Sequence, residues 1–429
     1  MPDKKQYYLL SAKLSGIKNI HKRIELDFYK KSIDQSFDPE KYRIKGIFGE
    51  NGFGKTAIIT AFSIYQSLLI RASYLSDSGV QAYLDETINK MTRCFVMDCE
   101  FACILADDKI NVYQHHICLE YIGDSFQITE ESLNVKNGNN RQSKYMPVYS
   151  VKSGEIDVPM DVDRSKLYRL TANLLNKASL SAVLLGSDYL FENDIVAISV
   201  NKLISLSLRM FISLRTEDKH TLYFIKSGIK TKKYLADDIT SSLSTVNERK
   251  ILKSMYTLYT NRVSGMERFL RLFKPDLKSI DIVTQEDGEY YSCQLNMNYG
   301  DYIINKEFES EGIKKLVSIY DALRSAANGG IVFIDEMDAN INSIYLSTII
   351  EYMMIFGKGQ LCFTSHNIDI MQTLNDNKYA IDFLNSNQEI IRWLKNGNKS
   401  PVNAYKNGLI EGMPYNIFPA DFVGVFGDD

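Results

Sequence analysis

The chain has 429 residues, 45% hydrophobic and 24% charged, a balance that excludes disordered and membrane-spanning classes and leaves room for two to three ordinary domains. Fifty basic residues against 53 acidic ones give a net charge of −3, which argues against a uniformly basic, DNA-coating surface. Six irregularly spaced cysteines form no disulfide framework, MPDKKQYY is no signal peptide, and no apolar run approaches the ~18 residues of a bilayer span, so a cytoplasmic protein without membrane contact is expected.

Ile24, Leu26 and Phe28 alternate with polar residues, and Ile44 to Phe48 is a short apolar run ending in glycine; both are expected as strands of one sheet. From Thr56 the period becomes helical, with Ile58, Ala61, Phe62, Tyr65 and Leu69 on one face. Between about 93 and 135 the period returns to two, with Phe95, Met97, Cys99, Phe101, Cys103 and Leu105 on one face. After a turn at Asp107-Asp108, Ile110 to Tyr121 and Phe126 to Val135 continue an antiparallel meander, and Asn137 to Lys144 is a polar loop.

From roughly 164 to 274 the pattern is helical, with its clearest stretch from Leu252 to Phe273, ended by Pro275. Ile280 to Val283 and Tyr291 to Met297 flank Asp287-Gly288 and predict a hairpin. The tail after about 375 mixes short strands with Gly and Pro. The expected division is 1–163 and 275–429 as two parts of one α/β head, with 164–274 as a helical insertion.

Gly49-Glu50-Asn51-Gly52-Phe53-Gly54-Lys55-Thr56 is a complete G-x-x-x-x-G-K-[ST] motif between a predicted strand and helix. Such glycines let backbone N–H groups curl round phosphate oxygens at a helix N-terminus. Lys55 is expected on the β- and γ-phosphates of ATP, and Thr56 on Mg²⁺. Ile331 to Ile334 followed by Asp335-Glu336 has the Walker B form, with Asp335 serving the Mg²⁺ shell and Glu336 the attacking water. The fold class that follows is α/β, a P-loop NTPase with an antiparallel meander and a helical insertion between the Walker motifs. GTP is disfavoured because Asn89-Lys90-Met91-Thr92 lacks the aspartate of a guanine-reading motif.

Ser310-Glu311-Gly312 opens a predicted helix 25 residues before Asp335, and His366 closes a predicted strand 31 residues after it. This order resembles the ABC/SMC class of ATPases. The resemblance implies that Ser310 and Gly312 bind the γ-phosphate held by a partner head, that Asp338 and Asn340 form a D-loop, and that His366 senses the phosphate. The signature reads Glu-Ser-Glu-Gly where transporters have Leu-Ser-Gly-Gly-Gln, and no Q-loop glutamine is assigned.

A narrower resemblance rests on Glu309 to Leu316, Asp335 to Asp338, Phe363 to Asn367 and Gly408 to Pro414. These segments look like the AAA-type, OLD-like ATPases of bacterial anti-phage defence, which include abortive-infection, Septu and PARIS ATPases. That resemblance implies a homo-oligomer, at least a head-to-head dimer, that responds to a phage trigger and controls a separate effector, often a TOPRIM-type nuclease. The alternatives are a RecF- or SMC-like repair ATPase gripping DNA and a nucleotide-gated scaffold with negligible turnover.

Two weaker signals have plain readings. Cys94, Cys99, Cys103, His115, His116 and Cys118 match no zinc-ribbon spacing and are expected as core packing. Lys226, Lys230, Lys232 and Lys233, near Tyr223, Phe224 and Tyr234, are expected as a solvated face, with nucleic acid or an acidic protein as the alternative.

Overall fold

The computed structural model describes residues 6–29, 32–34, 36–105, 107, 109–214, 246–247, 249–377, 379–394 and 400–412. The lysine cluster at 226–233 and the last two residues of the Gly408–Pro414 segment lie outside them.

A six-stranded sheet forms the centre, in the order Ile390–Arg392, Ile381–Leu384, Ile44–Phe48, Gln360–Thr364, Ile331–Ile334, Met210–Ser213, parallel except where the first two strands meet. Four of these strands are buried at every residue, the signature of a parallel sheet covered on both faces. Alternation then divides them between two cores. Ile47, Phe333 and Cys362 face one cluster with the P-loop helix Lys55–Ile70, while Phe48, Val332, Ile334 and Phe363 face a second with helices Tyr256–Arg271, Glu311–Ala327 and Ser343–Phe356.

Beyond the P-loop helix lies a seven-stranded antiparallel sheet, Ile24–Asp27, Gln6–Ser15, Cys94–Ile104, Ile110–Ile122, Ser125–Asn137, Met146–Lys152 and Glu155–Asp157 in that order. The expected meander is present, with Phe95, Met97, Cys99 and Phe101 all in the core. The hairpin at Asp287-Gly288 also forms, pairing Ser279–Asp287 with Tyr290–Asn298.

Two expectations need correction. Ile24–Asp27 and Ile44–Phe48 belong to different sheets; the former alternates buried and accessible residues as an antiparallel edge strand, the latter is buried throughout. The 164–274 stretch is not wholly helical either. Met210–Ser213 enters the central sheet beside Ile331–Ile334, and Lys250–Leu252 is a strand, so the helix there runs only over Tyr256–Arg271.

The two sheets are joined by a buried ion network. Lys45 Nζ donates to Asp382 Oδ2 at 2.7 Å and to the Tyr379 carbonyl at 2.8 Å, while Arg392 reaches Asp382 at 3.3 Å and Asp27 of the antiparallel sheet at 3.1 Å. Lys45 and Asp382 are almost wholly inaccessible, so removing one charge strands the other. Lys45→Met is expected to lower unfolding free energy by about 3 kcal/mol or more in urea titration; a loss below about 1 kcal/mol would show that Arg392 alone satisfies Asp382.

Candidate nucleotide site

Strand Ile44–Phe48 delivers the chain to Gly49, and Gly54 caps the P-loop helix in left-handed backbone at φ +110°. Neighbours crowd this glycine: a Cβ would lie 2.8 Å from Asn19 Oδ1 and 2.9 Å from Ile20. Asn19 Nδ2 in turn donates to the Gly52 carbonyl at 2.6 Å, bracing the loop from the antiparallel sheet side. On the other flank, Tyr405 Oη donates to Glu50 Oε1 at 3.1 Å. Phe53 turns away from the loop and packs against both cores.

Lys55 Nζ donates to the carbonyls of Gly49 at 2.6 Å and Glu50 at 3.0 Å and lies 3.4 Å from His366 Nδ1. Burial pushes its pKa down to about 8, against the pull of Asp335 and then of Glu50, Asp338 and Glu336. The ammonium is thus desolvated without a carboxylate in direct contact, a position that an anionic ligand would relieve.

Asp335 follows strand Ile331–Ile334, is buried, and is fixed at both ends: its N–H donates to the Ser213 carbonyl at 2.9 Å and its Oδ1 accepts from Thr364 Oγ1 at 2.6 Å. The same Thr364 oxygen accepts the Glu336 N–H at 2.8 Å. Glu336 has φ +45°, a conformation that costs a non-glycine residue roughly 1 kcal/mol and that the surrounding hydrogen bonds impose. Strain stored at the second carboxylate accords with a positioned functional group.

These residues share one cavity of about 250 Å³, lined by Lys18, Asn19, Glu50, Asn51, Gly52, Gly54, Lys55, Thr56, Ala57, Asp335, Glu336, Thr364 and His366. The Thr56 hydroxyl with the Asp335 and Glu336 carboxylates supplies an all-oxygen donor set, which suits Mg²⁺. The fold therefore brings together the glycine loop, Lys55, Thr56, both acids and His366.

Ser310, Gly312 and Asp338 do not line that cavity. Ser310 Oγ caps helix Glu311–Ala327 by accepting the Ile313 N–H at 3.4 Å. A Cβ on Gly312 would lie 2.9 Å from the Asn340 carbonyl, so the signature and the D-loop segment are packed back to back. Asp338 Oδ2 accepts the N–H groups of His366 at 3.1 Å and Asn367 at 3.0 Å, while its buried Oδ1 has no hydrogen-bond partner among the described residues.

Sequence reasoning missed Lys18, Asn19, Thr364 and Tyr405. Lys18 and Asn19 lie in a connection between strands, 31 and 30 residues before Gly49, and carry no local pattern. For Thr364 a signal existed: a hydroxyl residue at the last position of the strand leading to His366.

Residues 214–371 match the family model described as "AAA domain, putative AbiEii toxin, Type IV TA system". That segment contains the signature, both acids, the D-loop and His366. Among solved structures, an SMC head bound to the C-winged helix domain of ScpA is similar at 12% identity, covering 92% of this chain and 99% of that one with a TM-score of 0.43. RecF with ATP, the recombination mediator of the RecFOR pathway, is similar at 12% identity, covering 91% of this chain and 100% of that one with a TM-score of 0.41. No curated protein matches the chain. Residues 214–371 thus match an AAA-domain model, and the strand, glycine loop and helix on a largely parallel sheet have the architecture of a P-loop NTPase.

The depressed lysine pKa has two measurable consequences. Below pH 8 the folded protein carries a charge that burial disfavours, and as pH rises from about 8 toward the ordinary lysine value the unfolded chain holds more protons, so this penalty disappears. Lys55→Met is therefore expected to raise Tm at pH 7 and to raise it much less at pH 9.5, read by calorimetry. Anion binding restores the ammonium, so ATP binding at pH 8.5 should take up protons, seen as a buffer-dependent heat that Lys55→Met lacks.

Proposed function

We propose that the protein binds Mg·ATP in this cavity, hydrolyses it slowly, and joins a second copy head to head so that Ser310 and Gly312 of each copy complete the other's pocket. The observation that carries the reading is the split geometry: Lys55, Thr56, Asp335, Glu336 and His366 share one cavity, and Ser310 and Gly312 stand outside it, with Gly312 against the Asn340 carbonyl. Within the cavity, Lys55 would hold the β- and γ-phosphates and Thr56 and Asp335 the cation, with Glu336 accepting a proton from the attacking water. Magnesium, when bound, would neutralise phosphate charge. Thr364 holds Asp335 and the backbone of Glu336 in place and acts as a positioning residue.

We infer further that this head pair controls a separate effector, a TOPRIM-type nuclease, in anti-phage defence. The support is the sequence resemblance to OLD-like defence ATPases and the match of residues 214–371 to a family whose description includes "putative AbiEii toxin". Among the described residues no helix is long and apolar enough to cross a membrane.

Three outcomes test the proposal. Thr364→Val should lower ATP turnover by roughly ten- to a hundredfold with little change in KM, whereas equal loss of both would make Thr364 merely structural. Glu336→Gln should retain ATP and shift the protein to a dimer in native mass spectrometry, and Lys55→Ala should remain monomeric and fail to protect cells from phage. Purifying Glu336→Gln with its native gene neighbourhood should co-isolate a stoichiometric nuclease; a bare dimer holding DNA would overturn the effector reading in favour of a repair-type ATPase.

A further inference from the structure

The antiparallel sheet carries a cluster of metal-type donors remote from the nucleotide cavity. Strand alternation sends Phe95, Met97 and Cys99 into the core and leaves Cys94 on the opposite face, where the register sets Glu120 directly across from it and Cys118 across from Val96. The six-residue Cys/His group of the sequence thus separates: Cys99 and Cys103 are core, and Cys94 and Cys118 meet outside it.

We propose that Cys94, Cys118 and Glu120 form a binding site for a thiophilic divalent cation of the zinc class, with three protein donors and a fourth position open. The sulfurs of Cys94 and Cys118 are 3.6 Å apart, Cys118 Sγ is 3.9 Å from Glu120 Oε1, and the three donor atoms all lie within 4.8 Å of one another. A tetrahedral zinc with Zn–S of about 2.3 Å and Zn–O of about 2.0 Å needs a sulfur–sulfur edge of about 3.8 Å and a sulfur–oxygen edge of about 3.5 Å, so small side-chain rotations close the site.

The local backbone prepares one ligand. Cys118 sits at a β-bulge, where the pairing with Ser125–Asn137 shifts between Cys118 and Leu119, and such bulges re-aim side chains. Both sulfurs would bind as thiolates, so metal binding releases their protons. His116 is engaged elsewhere, 2.8 Å from Asp98 and 3.8 Å from Glu130, and is not counted as a ligand. Cys94 is half-buried and Glu120 exposed, so the open position faces solvent, as in sites that keep an exchangeable ligand.

The test is a Co²⁺ titration of the full chain, nucleotide-free and held reduced by a phosphine. One equivalent is expected to produce a sulfur-to-cobalt charge-transfer band and a tetrahedral d–d band, both erased by Zn²⁺. The charge-transfer band distinguishes this site from the nucleotide cavity, whose lining residues include no cysteine. Cys118→Ser should abolish it, Glu120→Gln should weaken Co²⁺ binding about tenfold or more, and Cys99→Ser should leave it intact. Absence of the band in wild-type protein with free thiols, or its survival in Cys118→Ser, would overturn the proposal.

Discussion

The register of strand Gln360–Thr364 is the constraint on which the site depends. It lies between the strand that leads to the P-loop and the strand that leads to the acids, pairing Leu361 with Ile44, Thr364 with Ile47 and Phe363 with Ile334. A slip of one residue would send its side chains to the wrong cores and move Thr364 away from the Asp335 carboxylate and the Glu336 N–H. The opposite end of the strand is pinned as firmly. The buried Gln360 amide accepts the Leu9 N–H at 2.7 Å and donates to the Leu9 carbonyl at 2.9 Å, where strand Gln6–Ser15 is irregular and its own ladder is interrupted. One glutamine thereby locks the antiparallel sheet to the strand that aligns the chemistry.

The P-loop helix is built to be enclosed. Nearly all of its residues are buried, Phe62 stacks on Phe333 of the Walker B strand at 3.9 Å, and its last carbonyls are satisfied from outside, Leu68 by the Ser179 hydroxyl and Leu69 by that of Ser181. Gln66 donates to the carbonyls of Ser207 and Met210 at the entry to the strand beside Asp335. Toward the antiparallel sheet, Tyr65 meets His115, which meets Glu131; Tyr149 and the Leu180 N–H complete that carboxylate. A buried carboxylate so fully partnered acts as a rigid joint, since losing any one partner would leave an uncompensated group in the core.

Most of the residues that share the cavity were legible because their signals are local. A glycine loop between strand and helix, and four apolar residues before two acids, each need only a short window. The meander was legible from period two over long strands. Met210–Ser213 was not, because four residues directly following helix Ile195–Arg209 are too few for a period and take their strand character from pairing with Ile331–Ile334. The edge strand Ile24–Asp27 showed its alternation but not its sheet, since nothing in its residues distinguishes neighbours that the chain supplies from Gln6–Ser15. Lys18 and Asn19 enter the cavity through tertiary packing alone, and the Cys94–Cys118 pairing depends on a strand register that spacing does not encode.

A chain of contacts also runs from Lys55 to the helix that Ser310 caps. A lysine ammonium has three donors, and those of Lys55 are met by two loop carbonyls and, at the longest distance, by His366 Nδ1. An incoming anion must displace one of these contacts, and the 3.4 Å contact to His366 is the weakest to give up. The backbone of His366 rests on Asp338, and two residues beyond Asp338 the Asn340 carbonyl lies against Gly312 at the start of the signature helix. Lys315 of that helix reaches back to the Asp335 carbonyl at 3.4 Å. On the proposed reading, phosphate in the cavity and the surface at Ser310 and Gly312 are joined through contacts on both sides of the Asp335-Glu336 turn, the arrangement that a nucleotide-gated meeting of two copies would use.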